Sequence, residues 1–238
     1  MDEKARALTA AKTAAGFRAA DMVEDGNVIG LGTGSTVFYM IERLSARIRE
    51  EGLKVSGVPT SYQTAIRARE YGIPVVTLDD YPSIDLAIDG ADEVDPHLFL
   101  IKGRGAALLR EKCVAAAAFR FIVVADGQKV VPRLRAPVPV EILPFAVTPV
   151  LAQLRGLGCK PVIREGVRKD GPVITDNGNF IADCTFDNIA DPALLEAEIA
   201  RIAGVLGSGL FTGFADKTTV IIGNEKECRI ISSADIIP

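Results

Sequence analysis

Along the first 130 or so residues, short apolar runs alternate with longer segments in which hydrophobic residues recur at helical spacing. Short apolar runs predict strands at 27–32, 55–59, 74–78, 84–88 and 121–126. Longer segments, with apolar residues three or four positions apart or rich in alanine and long side chains, predict helices at 3–24, 35–51, 61–72 and 106–119. Strands that alternate with helices predict an α/β fold, with a doubly wound, mainly parallel sheet and right-handed crossovers.

The pattern changes at 132–144, where four prolines predict a crossing between domains. Beyond it, the pattern predicts a smaller α+β unit, with a hairpin turn at Asn177-Gly178 and a helix after Asp191-Pro192. The apolar segments from 204 to the C-terminus are expected to return to the first sheet as strands. The predicted domains are therefore 1–134 with 207–238, and 135–206.

Composition and charge narrow the classes of function. The chain has 238 residues, 48% of them hydrophobic and 24% charged, which is typical of a globular protein with a real core. A net charge of -4 without a basic cluster argues against binding to nucleic acid or to an anionic membrane. No apolar run is long enough to span a bilayer, and four widely spaced cysteines indicate reduced thiols. A cytoplasmic location is expected.

Three segments contain residues that could bind a ligand or take part in catalysis. The first is GTGST at 32–36, which lies between a predicted strand and a predicted helix. Ser35 or Thr36 is expected to cap that helix. Backbone N–H groups in such a glycine-rich turn, together with the helix N-terminus, form a cradle for an anion. The segment has no lysine of a Walker A loop and no third glycine of a dinucleotide fingerprint. A phosphate cradle and a merely tight turn both remain open.

The second segment is DGADEVD at 89–95, directly after an apolar run. Ligands of open parallel sheets bind beyond the carboxyl ends of the strands, which is where Asp89 and Asp92 are expected. The spacing of the acids does not fit a calcium loop. A magnesium site, an Asp-Gly turn with solvated acids, and a pair of carboxyls for acid–base chemistry remain open, because two close carboxyls split their pKa values.

The third segment is KGRGAALLREK at 102–112. Lys102 stands between an apolar run and Gly103, which anchors its ammonium group on a rigid element, and Gly105 is expected to free the N-terminus of the next helix. Glu111 is expected about two turns into that helix, where Arg110 and Lys112 favour its carboxylate form. It is a candidate base, although a surface glutamate among alternating charges is also common.

These segments, with PTSYQT at 59–64 and ITDNGNF at 174–180, closely resemble the type A ribose-5-phosphate isomerases. The resemblance covers nearly the whole chain, in order and spacing. It implies a Rossmann-like α/β domain with a smaller α+β domain. It also implies an aldose–ketose isomerase that interconverts D-ribose 5-phosphate and D-ribulose 5-phosphate through an enediolate, in the non-oxidative pentose phosphate pathway. No metal and no cofactor is implied, and the family suggests a homo-oligomer, either a dimer or a tetramer.

By matched position, the resemblance implies that Glu111 is the catalytic base and that Asp89, Asp92 and Lys102 handle the sugar oxygens. The substrate-binding residues that it implies lie mainly in three loops and are Thr33, Gly34, Ser35, Thr36, Gly90, Ala91, Gly103, Arg104, Gly105, Lys129 and Lys12. Arg104 departs from the pattern, because some members have glycine there. It is expected either to add phosphate affinity or to point to solvent.

Two other classes of function stay open. A non-catalytic phosphosugar-sensing domain of the same fold is expected to carry a DNA-binding segment, for which this chain has neither the length nor the basic charge. An amino-sugar phosphate deaminase or a CoA transferase is expected to lack the Arg110-Glu111-Lys112 triplet. His97 is the only histidine, so catalysis built on histidine is not expected.

Overall fold

The computed structural model describes residues 3–225 and 227–235. Within these ranges six α-helices, α1 to α6, span Glu3–Ala20, Ser35–Glu51, Tyr62–Glu70, Leu108–Ala117, Val147–Gly156 and Pro192–Ala200. Thirteen strands, β1 to β13, span Val28–Leu31, Ser56–Pro59, Ile84–Gly90, Glu93–Val94, Leu100–Ile101, Ala118–Asp126, Val138–Ile142, Cys159–Ile163, Phe180–Phe186, Val205–Ser208, Leu210–Phe211, Thr218–Gly223 and Cys228–Ser232.

The central sheet has six strands in the order β13-β12-β6-β3-β1-β2. Neighbouring strands run parallel throughout this sheet, except that β12 and β13 run antiparallel at one edge. The predicted α/β class with a mainly parallel sheet is therefore confirmed. Because β2 and β3 lie on opposite sides of β1, the direction of winding reverses between β1 and β3, which is where ligands of such sheets bind.

The chain folds into two compact units. The first consists of Met1–Ala91, Arg110–Val130 and Phe214–Pro238, and the second of Asp92–Leu109 and Val131–Gly213. These bounds differ from the predicted domains chiefly at 92–109, because β4 and β5 pair with β11 in a three-stranded sheet of their own and not with the central sheet. The second unit also holds a four-stranded antiparallel sheet, β10-β7-β9-β8.

In the first unit, small residues let α1 pack closely on α2 and on the central sheet. A Cβ atom on Gly16 of α1 would lie 2.8 Å from the backbone nitrogen of Met40 in α2, and one on Gly223 of β12 would collide with the carbonyl of Ala11. Apolar faces of α1, α2, β1, β3 and β6 share one buried core. Its close contacts explain why the alanine-rich first helix is held against the sheet despite its few large apolar side chains.

Two expectations about local structure are wrong. Only Val75 of the run at 74–78 forms a bridge, with Gly57, because Asp80 accepts hydrogen bonds from the N–H and hydroxyl of Thr77 and turns the chain away. Of the C-terminal segments, β12 and β13 return to the central sheet, whereas β10 and β11 pair within the second unit.

All four cysteines are free, as expected, but they are not uniformly buried: Cys159 and Cys184 are buried and Cys113 is exposed. A hydrogen bond with Cys159, together with burial, raises the pKa of the Cys184 thiol. No helix in the described ranges is both long and apolar enough to cross a membrane.

Candidate active site

The glycine-rich turn after β1 is held by the backbone of the neighbouring strand. The N–H of Gly32 donates to the carbonyl of Ile88 in β3 at 2.9 Å, and the N–H of Thr33 donates to Oδ1 of Asp89 at 3.1 Å. Gly34 has φ 142°, a conformation that favours glycine, and it occupies the N-cap of α2. Ser35 and Thr36 do not cap the helix as expected, because the helix already begins at Ser35.

A cluster of hydroxyl groups supports this turn. Thr33 Oγ1 donates to Ser61 Oγ at 2.8 Å and lies 2.8 Å from Thr60 Oγ1 and 3.2 Å from Thr64 Oγ1. Thr64 Oγ1 in turn donates to the carbonyl of Gly32 at 2.8 Å, and Ser61 caps α3 by accepting from the N–H of Thr64. The PTSYQT motif thus fixes the GTGST turn from the next strand of the sheet. This supporting role was missed by sequence reasoning, although the position of three hydroxyls directly after β2 was a usable signal.

Asp89 is nearly the last residue of β3 and is only 3% exposed. Its Oδ1 accepts from the N–H groups of Thr33 and Gly90, the latter at 2.7 Å. Gly90 ends the strand and Ala91 follows it. The prediction that Asp89 lies at the carboxyl end of a parallel strand is confirmed by the sheet, and its position next to β1 places it at the switch point.

Glu111 lies in the first turn of α4, not two turns in, because the helix begins at Leu108. It is 4% exposed. Val114 lies one turn later on the same face and packs so tightly on β1 that a Cβ atom on Gly30 would collide with it. Glu111 therefore faces the sheet. The first turn of a helix favours a carboxylate, because its free N–H groups carry partial positive charge. Arg110 places its guanidinium 4.7 Å from the ring centroid of Tyr62.

Two further lysines of the first unit lie on elements that border this end of the sheet. Lys12, on α1, donates from Nζ to Ser35 Oγ at 3.0 Å, so it reaches the N-terminus of α2. Lys129 ends the 3₁₀ turn Gly127–Lys129 that directly follows β6, the strand beside β3. Asp126 begins this turn by accepting from the N–H of Gln128 at 3.0 Å. Lys12 thus contacts the GTGST turn through Ser35, and Lys129 follows the strand that pairs with the strand of Asp89.

Asp92, which begins the second unit, organises the loop at 102–105. Its N–H donates to the carbonyl of Ile101 at 2.8 Å, and its Oδ2 accepts from the N–H of Arg104 at 3.0 Å. The Arg104 side chain is 78% exposed, and its Nε lies 3.8 Å from Oδ1 of Asp92. An exposed pair at this distance contributes little to stability. Asp92 therefore binds chiefly the backbone of the loop.

Lys102 is a buried lysine, 2% exposed. Its N–H donates to the carbonyl of Gly209 at 2.8 Å, which ties the residue to the start of β11, and its Nζ lies 5.5 Å from the ring centroid of Phe211. An ammonium group at this distance is attracted to the face of the aromatic ring. The expectation that Lys102 is anchored on a rigid element agrees with these contacts.

The positive φ angles of the following loop fall on Gly103, at 104°, and on Ala106, at 57°. Gly105 is not among the residues of positive φ, and α4 begins three residues after it, so Gly105 does not free the helix N-terminus as expected. The carbonyl of Gly103 accepts from the N–H of Ala106 at 3.0 Å and from the guanidinium of Arg164 at 3.0 Å. The loop is therefore fixed by side-chain contacts as well as by its own backbone.

The ITDNGN segment forms the tight turn that its Asn177-Gly178 pair predicts. Gly178 has φ 80°, and its N–H donates to the carbonyl of Thr175 at 2.9 Å. The fully buried Glu141 of β7 holds the turn, because its Oε1 accepts from Thr175 Oγ1, Asn177 Nδ2 and Asn179 Nδ2 at 2.9, 3.0 and 2.8 Å. The segment thus packs onto the four-stranded sheet, and sequence reasoning missed Glu141 because it reads as part of a short apolar strand.

The predicted residues therefore fall into two groups. The first unit holds Lys12, Thr33, Gly34, Ser35, Thr36, Asp89, Gly90, Ala91, Glu111 and Lys129, and the second holds Asp92, Lys102, Gly103, Arg104 and Gly105. Across the residues that the structure describes, no three His, Cys, Asp or Glu side chains form a cluster of the kind that binds a metal ion.

Comparison with known proteins identifies the family. The sequence profile described as Ribose 5-phosphate isomerase A (phosphoriboisomerase A) matches residues 56–227. Ribose-5-phosphate isomerase A of Methanoregula boonei is 69% identical over 238 residues, which is 100% of both chains. The protein of that name from Thermosynechococcus vestitus is 53% identical over 90% of this chain and 92% of its own.

Comparison with solved structures gives the same family. Ribose 5-phosphate isomerase A of Methanocaldococcus jannaschii superposes with a TM-score of 0.88 at 46% identity, covering 93% of this chain and 97% of its own. A D-ribose-5-phosphate isomerase in complex with phospho-erythronic acid superposes with a TM-score of 0.89 at the same identity and coverage. The chain belongs to the ribose 5-phosphate isomerase A family.

Proposed function

We propose that Glu111 is the base of this isomerase, which interconverts D-ribose 5-phosphate and D-ribulose 5-phosphate. The observation that carries the proposal is the position of Glu111, buried on the sheet-facing side of α4 within its first turn. Aldose–ketose conversion moves a proton from C2 to C1, so one base that reaches both carbons is sufficient. A carboxylate that is fixed on a helix and shielded from water suits this task.

Charge develops on the sugar oxygens as the enediolate forms. We assign its stabilisation to the ammonium of Lys102, because a buried, rigidly held cation acts more strongly than a solvated one. Asp89 and Asp92 would exchange protons with O1 and O2 or with the ring oxygen. Oδ1 of Asp89 and Oδ2 of Asp92 both accept backbone N–H groups, which orients each carboxyl for such an exchange.

The phosphate would be bound by the GTGST turn. Gly34 and Ser35 are exposed at the N-terminus of the 17-residue helix α2, whose free N–H groups favour an anion. Lys12 reaches the same helix end, and Lys129 supplies a second ammonium group after β6. We include Gly90, Ala91, Gly103, Arg104 and Gly105 among the substrate contacts. One solved relative is in complex with phospho-erythronic acid, a phosphorylated acid, which supports an anion-binding role for such residues in this chain.

The reaction is proposed to need neither a metal ion nor a cofactor, because Lys102 supplies the positive charge that a metal would otherwise supply. The four free cysteines suit the reducing cytoplasm, which we propose as the location. We also propose a homo-oligomer, either a dimer or a tetramer. Phe145 and Val167 are 94% and 91% exposed, and association would remove apolar surface of this kind from water. Sedimentation equilibrium tests the oligomer.

The experiment compares EDTA-treated wild type with Glu111→Gln in the conversion of ribose 5-phosphate. We expect full activity of the wild type after chelation and a loss of turnover by several orders of magnitude in the variant. Binding of phospho-erythronic acid, measured by calorimetry, checks that the variant keeps its site. Near-normal turnover of Glu111→Gln would remove Glu111 from the role. Loss of activity with EDTA that a divalent ion restores would refute the metal-free mechanism.

A further inference from the structure

Arg164 follows the last residue of β8 and is paired with a carboxylate on the next strand. Its Nε donates to Oδ2 of Asp183 at 2.8 Å, and its Nη2 donates to Oδ1 of the same residue. The Arg164 side chain is 17% exposed and that of Asp183 is 32% exposed. Two parallel hydrogen bonds between a guanidinium and a carboxylate fix the plane of the guanidinium as well as its position.

The remaining terminal nitrogen of Arg164 reaches the loop after Lys102. Nη1 donates to the carbonyl of Gly103 and to the carbonyl of Arg104, both at 3.0 Å. The N–H of Arg104, between these two carbonyls, donates to Asp92. Consecutive peptide groups of the loop are thus held from one side by a cation and from the other by a carboxylate.

The conformation of the loop depends on these contacts because the loop lies between β5 and α4, outside the hydrogen bonds of either element. Lys102 follows β5 directly, and α4 begins six residues later at Leu108. Gly103 has φ 104°, and a Cβ atom there would lie 2.9 Å from the side chain of Leu108 and 3.3 Å from that of Pro139. The backbone therefore follows a path that few sequences adopt, packed against β7. A donor group anchored on the adjacent sheet is well suited to hold that path.

Lysine could not make the same contacts. The guanidinium has five N–H donors in one rigid plane, and all three of its nitrogens take part in the contacts with Asp183 and the loop, whereas an ammonium group is a point charge on a flexible stem. Asp183 lies opposite Val162 in the pairing of β8 with β9, so the strand register brings its carboxylate to Arg164. The geometry of the sheet, and not local sequence, creates this arrangement.

We propose that Arg164, oriented by Asp183, is a positioning residue for catalysis: it fixes the Gly103 and Arg104 peptides and thereby the ammonium of Lys102. This inference rests on the proposed role of Lys102. Arg164 touches the loop backbone and not the reacting atoms. Because misplacement of a catalytic group by about 1 Å costs up to about 100-fold in rate, loss of the guanidinium should lower kcat about 10- to 100-fold. The Michaelis constant should change less than about threefold, since Lys102 acts mainly on the charge of the transition state.

The chain offers a matched control in Arg47 of α2. Its Nη1 also donates to two carbonyls, those of Ala20 and Val23, at 2.8 and 2.7 Å, and its Nε pairs with Glu51 at 2.9 Å. The side chain of Arg47 is 14% exposed, close to that of Arg164. Arg164→Lys and Arg47→Lys therefore remove the same kind of contact, one at the loop and one at the end of α1.

The test measures kcat, KM and the melting temperature of both variants beside the wild type and Lys102→Met. We expect the two arginine variants to lose a similar amount in melting temperature. Only Arg164→Lys should also lose at least tenfold in kcat. Asp183→Asn, which keeps the shape of the carboxyl, should show the same loss to a smaller degree. Millimolar guanidinium should restore part of the activity of Arg164→Ala but none of that of Lys102→Met.

Two outcomes would overturn the inference. One is a kcat for Arg164→Lys within threefold of the wild type; the other is an equal loss of kcat in Arg47→Lys, which would reveal a general effect of stability. Failure of the underlying role of Lys102 is recognised separately, because Lys102→Met would then keep normal turnover while wild-type activity remains.

Discussion

Replacement of Gly32 by alanine tests the close approach between the GTGST turn and Asp89. A Cβ atom on Gly32 would lie 2.7 Å from the Cα atom of Asp89 and nearer still to its carboxyl group. Asp89 is part of β3, which lies inside the central sheet between β1 and β6, so its backbone has little room to move away. The turn after β1 must therefore shift and lose the hydrogen bond from the N–H of Thr33 to Asp89.

The magnitude follows from this geometry. Ordinary contacts of a methyl carbon lie about 1 Å farther out than the gap that Gly32 leaves, and overpacking of this kind costs about 1–3 kcal/mol. For a chain of this size, each kcal/mol lowers the melting temperature by about 2–4 °C, which gives a decrease of about 2–12 °C. A shift of about 1 Å in the Asp89 carboxyl should also lower kcat about 10- to 100-fold.

The assay pairs thermal unfolding with steady-state turnover of ribose 5-phosphate for Gly32→Ala and Gly156→Ala. Gly156 ends α5, and a Cβ atom there would meet nothing within 4 Å, so its variant should be at least as stable as the wild type and should keep normal turnover. Normal stability together with normal turnover of Gly32→Ala would refute the argument, because it would mean that the turn and Asp89 separate without cost.

Three further predictions concern single side chains. Lys102→Met should lower kcat about 100- to 1,000-fold in steady-state assays, as expected for loss of charge stabilisation, and a loss confined to KM would contradict that role. Glu141→Leu should destabilise the protein by at least about 1–3 kcal/mol in chemical unfolding, since Glu141 is fully buried and the three groups that donate hydrogen bonds to it would lose their acceptor; unchanged stability would contradict this explanation. Burial raises the pKa of Asp95, against hydrogen bonds from the N–H groups of Phe99 and His97. The folded state therefore binds the proton more tightly than the unfolded state, and this contribution to stability is present below the usual aspartate pKa and is lost as pH rises through the raised value. Melting temperatures of Asp95→Asn and wild type should accordingly diverge with rising pH in that range, and a difference independent of pH would disprove the assignment.

The alternation of strands and helices was predictable because burial of both faces of a parallel sheet requires continuous apolar strands between amphipathic helices. The positions of Asp89 and the GTGST turn were predictable for the same reason, since Asp89 lies at the end of β3 and the turn directly follows β1. The prediction of a strand at 74–78 was wrong. Its apolar run is typical of a strand, but the turn that Asp80 stabilises ends the pairing after Val75.

Contacts that depend on strand register could not be predicted. Arg164 and Asp183 are 19 residues apart, and only the pairing of β8 with β9 brings them together. The assignment of β10 and β11 to the second unit was missed for a similar reason, because an apolar period predicts a strand but not the sheet that it joins. The start of α4 at Leu108 depends on the positive φ of Ala106, which is a rare conformation for alanine.

In the proposed mechanism, the carboxylate of Glu111 carries the proton between C2 and C1. Nuclear magnetic resonance of the reaction in ²H₂O, with wild type and Glu111→Gln at equal concentration, tests it directly. We expect the wild type to form ribulose 5-phosphate whose C1 receives either the hydrogen transferred from C2 or deuterium that has exchanged onto the Glu111 carboxyl. The variant should form no product and exchange no C2 proton while it still binds phospho-erythronic acid. Exchange of the C2 proton by the variant at the wild-type rate would show that another group is the base.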